Sequence, residues 1–141
     1  MPPAAHGLPP DLQHCGVNIT PACVRALYNL PIGTVCDPDS APGFYEQGDY
    51  YSQTDLNLFF SHFARNVPQN SAPTPQFIDG AKAPVAASSP ANGGESDIDL
   101  DIGFSLVYPT IPKLYQVDDF PTATAELAHY NLFNTFLDAV S

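Results

Sequence analysis

Two carboxylates one helical turn apart are the side chains of this sequence best suited to acid–base chemistry. Residues 95–107 read ESDIDLDIGFSLV, and on a helical wheel Glu95 and Asp99 share a sector with three aliphatic side chains. We therefore expect both carboxylates to be partly buried and turned inward. Like charges at this spacing in a poorly solvated site cannot both ionise cheaply, so one should keep its proton to unusually high pH. Such a pair could take a proton from a nucleophile, and it would work best in acid.

The same helix carries Asp97 and Asp101, which the wheel places on a different side and predicts to be solvated charges. A simpler interpretation covers all four acids, because acidic side chains stabilise the first turn of any helix through its macrodipole. The spacing E-x-x-x-D alone therefore does not establish a catalytic pair.

Three segments in order carry a resemblance to a known family. They are NITPACVRALYNLP at 18–31, FYEQGDYYSQTDLNLFFSHFARNVP at 44–68 and GGESDIDLDIGFSLVYP at 93–109. Together they resemble the sedolisins, the serine-carboxyl peptidases, and especially the tripeptidyl-peptidase-like members. The resemblance implies a subtilisin-like scaffold, peptide or protein substrates, an extracellular location and a Glu-Asp-Ser triad. In that triad Glu95 would be the general base that activates the serine, and Asp99 would hydrogen-bond to Glu95.

The sequence also departs from the family pattern. The family's serine nucleophile, its oxyanion-hole aspartate and its calcium site lie downstream of the matched segments and have no counterpart here. We therefore expect the N-terminal part of a peptidase catalytic domain that is inactive alone, with no cofactor or metal held by this chain. The alternative is a non-catalytic acidic binding protein that reuses part of the fold.

The elements that must position the acids indicate an α/β class. Helix-start signals stand at Thr20-Pro21 and at Ser52 with Asp55, and the second helix should run to Arg65. Strands are predicted at 76–79 and 114–117, and helices at 95–107 and 125–140. With the resemblance, this predicts a partial subtilisin-like fold of short parallel strands and helices, truncated before the later strands. Residues 1–16 should be an irregular, proline-rich lead-in, and 17–141 the peptidase-like part.

The charge composition limits the classes of partner that this chain can bind. The 141 residues include 15 acidic and 4 basic side chains, which gives a formal net charge of −11. The scattered basic residues cannot form the cationic surface that nucleic acids or anionic membranes need. No apolar run is long enough to span a membrane, and residues 1–16 lack the features of an export signal.

The cysteines and one tripeptide leave two questions open. Cys15, Cys23 and Cys36 lack zinc-site spacing, and they could form one disulfide with a leftover thiol or remain three buried thiols. The tripeptide Asn18-Ile19-Thr20 has the form of an N-glycosylation acceptor. Pro21 follows it and Thr20 is needed as a helix cap, so we expect less than half of exported chains to carry a glycan there.

Overall fold

The computed structural model describes residues 9–117 and 132–141, with only the backbone described at 132–135. A short 3₁₀-helix at Pro10–Leu12 precedes the main elements. In chain order these are α1 (Pro21–Tyr28), β1 (Gly43–Gln47), α2 (Gln53–Phe63), β2 (Thr74–Ile78), α3 (Gly94–Val107), β3 (Lys113–Val117) and α4 (Leu132–Val140). The α/β prediction is confirmed. The helix predicted from residue 125 is found over 132–140, and its first residues lie outside the described part of the chain.

The strands form a three-stranded parallel sheet in the order β1-β3-β2. Lys113 at the start of β3 is aligned with Gly43 of β1 on one side and with Thr74 of β2 on the other. The central strand is the buried one, and Leu114 and Val117 are fully enclosed. The strands predicted at 76–79 and 114–117 are therefore present, whereas β1 was not predicted. Its five residues are held by pairing with a strand 70 positions away, which local sequence does not reveal.

The two predicted helix starts are confirmed by their caps. The Thr20 hydroxyl accepts a hydrogen bond from the Cys23 backbone N–H at 3.3 Å, and Pro21 occupies the first turn of α1. The Ser52 hydroxyl accepts from the Asp55 backbone N–H at 3.4 Å at the start of α2. In both helices a short-range signal fixes the first turn because the capping bond satisfies an otherwise unpaired N–H.

Helices α2 and α3 pack together over the central strand. Leu56 and Phe60 of α2 meet Leu100 and Phe104 of α3, and the rings of Phe60 and Phe104 meet edge to face at 5.5 Å. Leu114 of β3 completes this contact. Burial of these five side chains fixes the rotation of α3 about its own axis, and that rotation decides which acids face solvent.

Helix α1 is hydrogen-bonded to the C-terminal end of α3 through Arg25. One terminal nitrogen of the Arg25 guanidinium donates to the carbonyl oxygens of Ser105 and Leu106 at 2.9 and 2.8 Å. A cation at the C-terminal end of α3 complements both the unpaired carbonyls and the helix dipole.

Cys15 and Cys23 form a disulfide and Cys36 is an exposed free thiol, so one disulfide with a leftover thiol is the alternative that the structure selects.

Candidate functional site

The start of α3 is capped by a side chain from the sheet end, not by its own first residues. Asp49, two residues beyond β1, accepts a hydrogen bond from the Ser96 backbone N–H at 2.9 Å. A Cβ atom on Gly93 would lie 1.0 Å from an oxygen of that carboxylate, so only glycine allows this approach. Asp49 and Gly93 thereby bring the first turn of α3, which carries Glu95, against the carboxyl end of β1.

Glu95 and Asp99 lie on one face of α3, and that face is exposed. Ile98, between them, has 59% of its surface exposed. The prediction that the two carboxylates would be partly buried was wrong. Apolar side chains occur on more than one side of α3, and the core covers the sector of Leu100 and Phe104 instead. A helical wheel identifies apolar sectors but not which of them the sheet will cover.

Glu46 of β1 is the buried acid of this site, and only 3% of it is exposed. Its Oε1 atom has no hydrogen-bond partner within the described part of the chain. Burial raises the pKa of Glu46 to about 8, and three negative charges add to the shift, in decreasing order those of Asp99, Asp49 and Glu95. Glu46 is therefore coupled to both predicted site residues and stays protonated below about pH 8.

Sequence reasoning missed Glu46, although it lies in one of the three family-like segments. No strand was predicted there, so nothing indicated which face the residue occupied. The structure also shows what holds the end of β1: the amide nitrogen of Gln116, on the central strand, donates to the carbonyl oxygens of Glu46 and Asp49 at 3.3 and 2.9 Å. This buried amide holds the backbone of Glu46 and Asp49 in place.

Asp97 and Asp101 lie on the opposite, more enclosed side of α3, so the prediction that they are solvated charges was also wrong. The Asp97 carboxylate accepts from the Ser52 backbone N–H at 3.0 Å, and burial raises the Asp97 pKa. Burial raises the pKa of Asp101 to about 7, with smaller contributions from the charges of Asp97 and Asp55. Asp101 also lines a cavity of about 370 Å³ beside α2, which Glu95 and Asp99 do not line.

Three serines in or beside α3 are enclosed. Ser52, Ser96 and Ser105 are all buried. The Ser105 hydroxyl donates to the Asp101 carbonyl oxygen, four residues earlier in the same helix. Within the described residues, none of these three hydroxyls can meet a peptide substrate without unfolding part of the core.

The site is a cluster of carboxyl groups suited to proton transfer. Glu95 and Asp99 are accessible, one turn apart, and the buried Glu46 is within electrostatic reach of both. In residues 9–117 and 132–141 no group of three or more histidine, cysteine or acidic side chains could hold a metal ion. Over the same residues, no helix is both long enough and apolar enough to cross a bilayer.

Comparison with known proteins agrees with the family resemblance. The chain is 44% identical to aorsin of Aspergillus oryzae over 131 residues, which make up 92% of this chain and 19% of aorsin. It is 43% identical to tripeptidyl-peptidase sed1 of Aspergillus fumigatus over 127 residues, or 89% of this chain and 19% of that enzyme. Tripeptidyl-peptidase SED1 of Arthroderma otae is 33% identical over 128 residues, 90% of this chain and 18% of the enzyme.

The chain matches one part of each relative. No family model matches the chain, and no solved structure does. The chain spans about 19% of the length of the first two curated relatives, while those relatives cover about nine-tenths of it. The resemblance found in the sequence is confirmed: this chain is a homologue of sedolisin-family enzymes, related along nearly its whole length to one part of them.

Proposed function

We propose that this chain supplies the acid pair of an acid-acting serine-carboxyl peptidase. Glu95 is the general base that receives the proton of a serine hydroxyl, and Asp99 hydrogen-bonds to Glu95 and holds it in place. One observation carries the proposal: the two carboxylates share the exposed face at the start of α3, within electrostatic reach of the buried carboxyl of Glu46. Two of the homologues cited above are named tripeptidyl-peptidases, which supports peptide substrates.

Glu46 gives this pair a physical basis for working in acid. Because burial keeps Glu46 protonated below about pH 8, it contributes a proton instead of a third charge at acidic pH. Glu95 can then accept a proton from the nucleophile, with Asp99 as its hydrogen-bond partner, as the bond to the substrate forms. At higher pH the ionised Glu46 would repel both carboxylates and weaken this arrangement.

The nucleophile must come from outside this chain. Ser52, Ser96 and Ser105 are buried, and the resemblance places the serine nucleophile and the oxyanion-hole aspartate in downstream segments with no counterpart here. A general base without a nucleophile and oxyanion donors cannot cleave an amide. We therefore expect no hydrolysis of peptides by the chain alone at about pH 3 to 5, the range where an acid pair would act. Activity sensitive to a serine-directed inhibitor would contradict this.

The decisive experiment places the chain in the context of a complete relative. A chimera of aorsin, in which this chain replaces the aligned segment, is incubated with peptide substrates at acidic pH. The products are analysed for released tripeptides and for internal cleavage. We expect the chimera to be active and Glu95→Gln to lower kcat/KM by about 10²- to 10⁴-fold, the usual contribution of a general base. The matched control is Asp97→Asn, on the same helix but on its enclosed side, which should retain activity within about tenfold.

A second candidate function has its own supporting observation. The exposed Ile98 between two carboxylates is a surface that another polypeptide could cover, so the chain could bind a full-length relative without catalysis. Titration of intact aorsin with this chain by calorimetry separates the two proposals. The binding function is favoured if the titration gives a saturable heat of binding, if Ile98→Asp abolishes that heat, and if the chimera is inactive. The peptidase function is favoured if the chimera is active and the titration gives no heat of binding.

A further inference from the structure

Asn18 is a surface amide that the catalytic proposal does not use. It begins the tripeptide Asn18-Ile19-Thr20, and no other asparagine in the 141 residues is followed two positions later by serine or threonine. We propose that Asn18 is N-glycosylated, and that its glycan covers the apolar surface on either side of it. This proposal does not depend on peptidase activity.

The surroundings of Asn18 suit a large modification. Its side chain is exposed and makes no hydrogen bond within the described residues, and its backbone N–H is bonded to the carbonyl of His14 at 2.9 Å. The neighbours Val17 and Ile19 are 83% and 67% exposed. Two branched apolar side chains held in water are unfavourable, and a hydrophilic glycan between them would shield them.

The disulfide points to the compartment in which this modification takes place. Cys15 and Cys23 are bonded, and the acceptor tripeptide lies inside the loop that they close. Disulfides of this kind form in oxidising compartments such as the lumen of the endoplasmic reticulum. The relatives come from fungi, which glycosylate proteins in that lumen, so a chain that acquires this disulfide passes the enzyme that modifies asparagine.

Folding and modification compete for the same residues. In the folded chain the Thr20 hydroxyl accepts from the Cys23 N–H and donates to the Cys23 sulfur at 3.2 Å, so it is committed to capping α1. Transfer therefore takes place before α1 forms. Asn18 Nδ2 bonds to C1 of the first sugar of a lipid-pyrophosphate-linked oligosaccharide, the bond from C1 to the pyrophosphate oxygen breaks, the lipid pyrophosphate leaves with the electron pair, and one amide proton is released.

The test uses the full 141-residue chain directed into the secretory pathway of yeast by a fused export signal. Protein from the medium and protease-protected protein from the lumen are both examined by intact mass and by peptide mapping with the disulfide kept closed. We expect a mixture of bare and glycosylated chains, because Pro21 follows the acceptor tripeptide. An amide-cleaving glycosidase should collapse the mixture and leave aspartate at position 18.

Three variants make the result specific. Asn18→Gln should lose the heavier species completely. Thr20→Asn also destroys the acceptor but keeps a good helix cap, so it should lose the glycan while the chain still folds and forms the disulfide. Pro21→Ala should raise the glycosylated fraction. Lumenal or exported wild-type chain that has the Cys15–Cys23 bond and only the bare mass would overturn the proposal.

Discussion

Helix α3 carries two pairs of acids with the same four-residue spacing, and the two pairs differ in what covers them. Glu95 and Asp99 face solvent, whereas Asp97 and Asp101 face the N-terminal end of α2. The exposed pair is near one buried partner, Glu46, and the enclosed pair is near Ser52 and Asp55. Spacing alone therefore says that two carboxylates can interact, and the packing around the helix decides which pair a substrate could reach.

The largest expected effect is a difference in catalytic activity between variants of the exposed pair and variants of the enclosed pair. In the active aorsin chimera, Asp99→Asn should lower kcat/KM by about 10²- to 10⁴-fold, because Glu95 loses the partner that orients it. Asp101→Asn, the same substitution one half-turn further along, should change it by less than about tenfold. Steady-state kinetics at acidic pH measure both. Equal losses in the two variants would show that the exposed face has no special role.

A second contrast concerns the apolar residues on the same two sides. Leu100→Ala should cost about 2 to 5 kcal/mol of unfolding free energy, since Leu100 is fully buried among Phe60, Phe104 and Leu114. Ile98→Ala should change it by less than about 0.5 kcal/mol, because Ile98 is largely exposed. Urea unfolding followed by circular dichroism measures both. A large loss in Ile98→Ala would mean that the exposed face packs against protein in solution.

These contrasts show where sequence was sufficient and where it was not. The starts of α1 and α2 could be predicted because Thr20 and Ser52 each make a bond to a residue three positions away. Strand β1 could not, because its pairing with β3 depends on residues 70 positions distant. Glu46 was missed for the same reason: its burial follows from that pairing.

Helix α3 itself was predicted, but its predicted rotation, with Glu95 and Asp99 turned inward, was wrong. Its apolar residues occur on more than one side, so periodicity alone could not decide which side the core covers, and contact with Phe60 and Leu114 fixes the rotation. The roles of Glu95 and Asp99 came from the family resemblance and remain a proposal. The disulfide was left open by sequence because pairing depends on distance, and the Cα atoms of Cys15 and Cys23 lie 5.6 Å apart in the fold.

The pH dependence of stability should also distinguish the pairs. The pKa of Asp101 is about 7 in the folded chain and has an ordinary value of 3.8. The folded state therefore binds the proton more tightly, so the stability from this group is fully present below about pH 3.8 and is lost as the pH rises through about 7. Glu46 acts in the same direction, and because its pKa is about 8, its contribution to stability is lost at a higher pH than that of Asp101.

At about pH 8, Asp101→Asn should therefore raise the unfolding free energy by about 1 to 2 kcal/mol, a value discounted for solvent screening. At about pH 4 its effect should vanish, because the wild-type carboxyl is then protonated. Asp99→Asn, on the exposed side, should change stability by about 0.5 kcal/mol or less. Denaturant titrations across this pH range provide the measurement. A wild-type chain that becomes more stable between about pH 4 and pH 8 would contradict the sign.

The smallest effect tests the hydrogen bond between Asp97 and the residue that caps α2. Asp97→Ala removes the acceptor of the Ser52 backbone N–H, and an unpaired donor in this enclosed position should cost about 1 kcal/mol. Asp97→Asn keeps an oxygen in the same place and loses only the charge, so its cost should be close to zero. Unfolding at acidic pH, where repulsion among Asp97, Asp101 and Asp55 is weakest, isolates the hydrogen bond from that repulsion. If alanine and asparagine cost the same, charge and not the bond holds α3 against the start of α2.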